Sequence, residues 1–120
     1  MGNRVTAISP FIGSLTATDF YQVLETSDIP PGVINILTGN HLDLAPHASS
    51  HMDVNAVWSF SEEEITKTIE FEAAKNIKRT WCLKNIDWFD TRTEGEMFLD
   101  AATETKSVWI PYGRVEKAIF

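Results

Sequence analysis

Cysteine is almost missing from this chain of 120 residues, with Cys82 the only one. A lone thiol excludes an internal disulfide and fits a reducing compartment. Basic charge is also short. Lys and Arg total 10 against 17 Asp and Glu, a net charge of −7. That balance argues against nucleic acid or an anionic membrane as partner, because both select basic surfaces. No apolar run approaches the ~18 residues that a membrane span needs. The first residues lack the apolar centre of a secretory signal, since Asn3, Arg4 and Thr6 interrupt it. Repeats, low-complexity tracts and linker-like segments are absent too. A soluble, cytoplasmic protein forming a single domain over 1–120 is expected. At this length a domain buries roughly two-thirds of its unfolded surface, and 43% apolar residues are enough for a packed core.

What is present is an alternation of short apolar runs with helix-like segments. Pro30-Pro31-Gly32-Val33-Ile34-Asn35-Ile36-Leu37-Thr38-Gly39 is a β-branched run punctuated at both ends. It reads as a strand over Val33–Leu37 buried on both faces. Arg4–Ser9, Val54–Phe60 and Arg79–Leu83 read as further strands, and Ser107–Ile110 as a last one. Helices are expected over Leu15–Glu25, over Leu44–His51 with Asp43 as N-cap and Pro46 in the first turn, and over Glu96–Thr103. Another runs from Ser61 to about Lys75, where Ser61-x-x-Glu64 forms a capping box and Ile65, Ile69 and Ala73 mark the inner face. Asn85–Glu94 is irregular, with Trp88 and Phe89 expected to pack, and Arg114–Phe120 has no assignment. The pattern implies an α/β fold, a mainly parallel sheet with helices on both faces and right-handed crossovers. Ligands of such sheets sit beyond the carboxyl ends of the strands. Thr38, Gly39, Ser59 and Ser61 are therefore the crevice candidates.

The Pro30–Gly39 stretch, His51-Met52-Asp53-Val54 and Gly2-Asn3-Arg4-Val5 together resemble the cofactor-binding domain of aldehyde dehydrogenases. Asn76–Trp81, Asp87-Trp88-Phe89-Asp90 and Thr105–Gly113 resemble the carboxyl end of family-16 aldehyde dehydrogenases, where a second, incomplete unit of the fold is found. The resemblance implies a Rossmann-like domain. Residue by residue, its functional groups do not carry over. Where active members place a Lys and a Glu on the adenosine ribose, this chain has Ile8 and Phe11. Their Phe-Thr-Gly-Ser turn reads Trp58-Ser59-Phe60-Ser61, so Phe60 stands where backbone must approach a pyrophosphate. The strand supplying the general base aligns with Cys82-Leu83-Lys84-Asn85, and the nucleophile would lie in a catalytic domain for which the chain is too short. The residues add their own objection. Glu62, Glu63 and Glu64 fill the first turn of the helix after Ser61, where a phosphate would otherwise bind.

These features lead to a non-catalytic domain with no catalytic, cofactor or metal residues, working as a structural or association domain. Its expected partner is a second copy or an aldehyde dehydrogenase-type protein, and Trp88-Phe89 and Trp109 are candidate interface residues. The alternative is a vestigial NAD- or NADP-binding module using Thr38, Gly39, Ser59 and Ser61, unless Phe11 and Phe60 close the crevice. A third reading is thiol chemistry at Cys82, with Lys78, Arg79 and Lys84 nearby to lower its pKa. A buried, inert Cys82 is the plainer expectation. His47 and His51 share a helix face near Asp53 but lack a third ligand. A polar helix end, with His51 favoured by the C-terminal dipole, is expected there rather than a metal site.

Overall fold

The computed structural model describes residues 2–110. Within the span expected as one domain, contacts gather into two compact units, Met1–Ile86 and Asp87–Phe120. The first unit holds two successive β–α–β arrangements. Strand β1 (Val5–Ser9), helix α1 (Ser14–Glu25) and strand β2 (Ile34–Thr38) form one, with the strands parallel and in register from Val5↔Ile34 to Ser9↔Thr38. Helix α2 (His41–Ser50) leads to the other. There β3 (Ala56–Ser59), α3 (Glu63–Ala73) and β4 (Arg79–Cys82) place Ala56↔Arg79 through Ser59↔Cys82 side by side in parallel. The α/β class expected from the alternation is what forms.

The sheet differs from expectation in being two two-stranded sheets, β1–β2 and β3–β4. Side chains occupy backbone groups that a further strand would have paired. The Ile36 amide donates to the Tyr21 hydroxyl at 2.8 Å, and the Ile8 carbonyl is bonded by the His41 ring at 3.1 Å. The Pro30–Gly39 strand is consequently not buried on both faces. Ile34 and Ile36 are half-buried, while Asn35, Leu37 and Thr38 are exposed, the alternation of a strand covered on one side. Its entry turn is as the sequence demands. The Val33 amide donates to the Pro30 carbonyl at 3.3 Å, and Gly32 takes a φ of +80° at the turn position that needs one.

Two helix starts are shifted. The cap of α2 is Asn40, not Asp43: Asn40 is extended and its side chain accepts from the Leu42 amide at 3.1 Å. Asn caps at least as well as Asp, and the earlier start puts Pro46 inside the helix rather than in its first turn. Helix α3 is preceded by Glu62, which makes no side-chain cap, so the capping box does not form. The Ser61 hydroxyl is instead directed at His41 Nδ1, 3.4 Å away.

Helices α2 and α3 pack together, and most of the buried side chains lie on them. Ala45, Ile69 and Ala73 are the buried apolar residues among those described, joined by Ser9, Ser49, Ser59, Thr66 and Lys78. Small residues let these helices approach closely. In the second unit, Asp90 caps a 3-10 turn over Thr91–Glu94, and α4 (Met97–Ala102) follows. Trp88 packs against Phe98 with ring centroids 6.2 Å apart, whereas Phe89, expected to pack, is 98% exposed. The strand expected over Ser107–Ile110 does not form, because no ladder partner is present for it among the described residues. Pro111-Tyr112-Gly113 and Arg114–Phe120 lie outside the described residues. No described helix is long and apolar enough to cross a membrane.

Candidate functional site

Parallel pairing brings Ser9 beside Thr38 and Ser59 beside Cys82 at the carboxyl ends of the two sheets. The four crevice candidates sit in different settings. Thr38 is exposed. Gly39 serves packing: a Cβ there would lie 2.8 Å from Leu44 Cδ1, so the glycine lets the first turn of α2 come close. Ser59 is 3% exposed and bonds inward, its Oγ 3.4 Å from Thr66 Oγ1 and accepting from the Ser61 amide at 3.4 Å. Ser61 borders a cavity.

That cavity, of about 290 Å³, is open to solvent and lined by Phe60, Ser61, Glu62, Glu63, Lys84 and Asn85. Phe60 forms one wall, edge-on to Trp81 with centroids 5.9 Å apart. Phe11 does not help close the crevice. It is 83% exposed, because the 3-10 turn over Phe11–Gly13 buries no residue. Glu63 carries the local charge. Lys67 lies 2.9 Å and Lys84 3.2 Å from its carboxylate, and the two lysines hold its pKa below the usual carboxylate value. Glu63 is thus favoured in its ionised form, with both nearby lysines facing it.

His41 was not singled out by its sequence context. It is the first residue of α2, and its Nε2 faces the Ile8 carbonyl at 3.1 Å while its Nδ1 faces Ser61 Oγ at 3.4 Å. A carbonyl only accepts, so Nε2 carries a proton and donates to Ile8, while Nδ1 faces the serine hydroxyl. The signal available in the sequence was position: a histidine two residues beyond Gly39 stands at the carboxyl end of a parallel strand, where functional groups collect.

The surroundings of Cys82 oppose the thiol reading. Burial first, and the Glu70 carboxylate second, push its pKa up, opposite to activation. Two of the three cations expected to lower it are engaged elsewhere: Lys78 Nζ donates to the His51 and Val54 carbonyls at 2.5 and 2.7 Å, and Lys84 pairs with Glu63. A raised pKa keeps the native thiol protonated to higher pH than the thiol of the denatured chain. Alkylation of native Cys82 by iodoacetamide is expected to be slower than in denaturant at neutral pH, its rate–pH curve displaced to the alkaline side. Timed labelling read by mass would show it, and coincident curves would refute it.

The His47–His51 pair holds no metal cluster: among the described residues, no three His, Cys, Asp or Glu groups come together for an ion. His51 Nδ1 accepts from the Asp53 amide at 3.2 Å. The Lys78 ammonium also reaches the end of α2, on the His51 carbonyl.

The family model described as "Aldehyde dehydrogenase family" matches residues 1–83, a span containing both β–α–β arrangements. Over 79 residues, 65% of this chain, it is 39% identical to aldehyde dehydrogenase, cytosolic 1, of Elephantulus edwardii and equally to that of Macroscelides proboscideus. Aldehyde dehydrogenase 1A1 of Bos taurus is 35% identical over the same length. The matched segment is 16% of each of these relatives, so the chain spans a small part of their length. No solved structure matches it.

Proposed function

The chain belongs to the aldehyde dehydrogenase family, and from that premise we propose that it is a cytoplasmic domain which performs no aldehyde oxidation and works by association. The partner is a second copy or another aldehyde dehydrogenase-type protein. One observation carries the reading. The described residues bury only three apolar side chains, while Phe11, Ile12, Leu15, Phe20 and Val23 are between 49% and 99% exposed and α1 buries no residue at all. Exposed apolar side chains concentrated on one segment are a feature of interaction sites. The chemistry of the crevice agrees: Ile8 and Phe11 offer no hydrogen bonds to a ribose, and the ionised Glu63 flanked by Glu62 and Glu64 opposes a pyrophosphate. The tail motifs similar to family-16 members lie mostly beyond residue 83, outside the matched span.

Mass measurement of the assembly in solution tests the proposal, with a dimer or larger expected and a strict monomer at high concentration counting against it. The open cavity beside Ser61 favours a second reading, a vestigial NAD- or NADP-binding module. Calorimetric titration separates the two. No heat beyond dilution is expected for either dinucleotide, and micromolar binding would replace the first reading with the second.

A further inference from the structure

We propose that the unpaired edge of β1 takes up residues 107–110 of a second copy as an added strand, in exchange for its own. The inference rests on the association reading above and names the surfaces that meet. The open edge follows from the ladder. The Val5 amide donates to the Val33 carbonyl at 2.8 Å, so Val5, Ala7 and Ser9 turn their backbone groups towards β2. Neighbouring residues of a strand bond to opposite sides, hence Thr6 and Ile8 face the other way. No described strand lies there to pair with them. The far edge of the same sheet is treated differently. On β2 the outward residue Ile36 has its amide 2.8 Å and its carbonyl 3.5 Å from the Tyr21 hydroxyl. A helix side chain covers that edge, and covering an edge is one way in which natural sheets are kept from growing. On β1 the Ile8 carbonyl is covered by His41. The Thr6 amide and carbonyl and the Ile8 amide have no ladder partner among the described residues, and Val5, Thr6 and Ala7 are exposed.

The occupant is argued from the same chain. Ser107, Val108, Trp109 and Ile110 include the β-branched and aromatic types that fit a strand, yet they form none. Val108, Trp109 and Ile110 are all exposed. Pro111 has no amide to give, which limits the run to four residues. His41 ends the open part of β1 at Ile8, so a short donor meets a short edge. An unrelated peptide would pair the edge and leave the apolar run of this chain uncovered. A second copy meets both needs, because each copy gives one strand and receives one. A reciprocal exchange of that kind closes as a two-fold dimer. Main-chain hydrogen bonds supply the affinity of strand addition, and alternate side chains of the added strand supply its specificity.

Hydrogen exchange of the full chain, read amide by amide at high and low concentration, tests this. Expected is a dimer in which the Thr6 and Ile8 amides exchange at least about tenfold more slowly than in the diluted monomer. Val108→Pro and Trp109→Pro remove amides from opposite sides of the donated run, so one of them takes away a ladder donor. That variant is expected to weaken the dimer about tenfold and to restore fast exchange at Thr6 and Ile8. Circular dichroism confirms that the rest of the chain stays folded. A dimer whose Thr6 and Ile8 amides exchange as fast as those of the monomer would overturn the strand exchange and leave the association reading standing. A strict monomer would overturn both. Protection that survives dilution, or a dimer indifferent to both proline variants, would refute exchange between copies.

Discussion

Lys78→Met is expected to destabilise the first unit by about 2–3 kcal/mol, because two backbone carbonyls would lose their only charged donor. Lys78 is 9% exposed, and its ammonium bridges the His51 carbonyl at the end of α2 and the Val54 carbonyl just before β3. With the Asn76 amide turned to satisfy both its ends, the side chain accepts a further bond from Lys78 at 3.0 Å. The position is costly to build. Ile77, just before it, is held at a φ of 53°, a left-handed conformation that strains a β-branched residue by roughly 1–3 kcal/mol. The net loss on substitution is smaller than the sum of the broken bonds, since methionine also relieves the burial of a charge. A fall in the thermal midpoint of roughly 10–20 °C would follow for a unit of this size. Denaturant unfolding with an unchanged slope would check it, and a loss below about 0.5 kcal/mol would show the clamp to be dispensable.

The same residue sets a pH dependence with a definite sign. Burial lowers the Lys78 pKa below its ordinary value, so in alkaline solution the unfolded chain holds this proton longer than the native one. Stability contributed by this group therefore rises as pH climbs between the two values. Lys78→Met removes that increment.

Ile69→Ala is the second large effect, at about 2–4 kcal/mol from lost burial and the cavity left behind. Ile69 is 5% exposed, and the other buried apolar residues described, Ala45 and Ala73, are already small. Phe71, two residues on along α3, is 71% exposed and has Lys75 Nζ 5.5 Å from its ring centroid. Phe71→Ala should change stability by less than about 1 kcal/mol. Urea unfolding of the two variants side by side checks the contrast, and equal losses would mean that the core lies elsewhere.

Local chemistry was legible in the sequence to the extent that neighbours in the chain decide it. The Pro30-Pro31-Gly32 turn formed as read, since φ of a proline and the freedom of a glycine are properties of those residues alone. The alternation of strands and helices held for the same reason, as did the inner face of α3 through Ile69 and Ala73. Caps were less legible. Asn40 and Asp43 are both good caps, and Ser61 would have been one had His41, twenty positions earlier, not taken its hydroxyl.

By itself, then, the sequence determined the α/β alternation, the acidic turn at Glu62–Glu64 and the family to which the chain belongs. Tertiary structure decided what the carboxyl ends of the strands became. Contacts spanning many residues put His41 between the Ile8 carbonyl and Ser61, turned Ser59 inward to Thr66, and drew Lys78 away from Cys82 to the end of α2. The physical reason is that hydrogen-bond partners and burial depend on which segments meet. A local pattern of side chains leaves that choice open until the chain has packed.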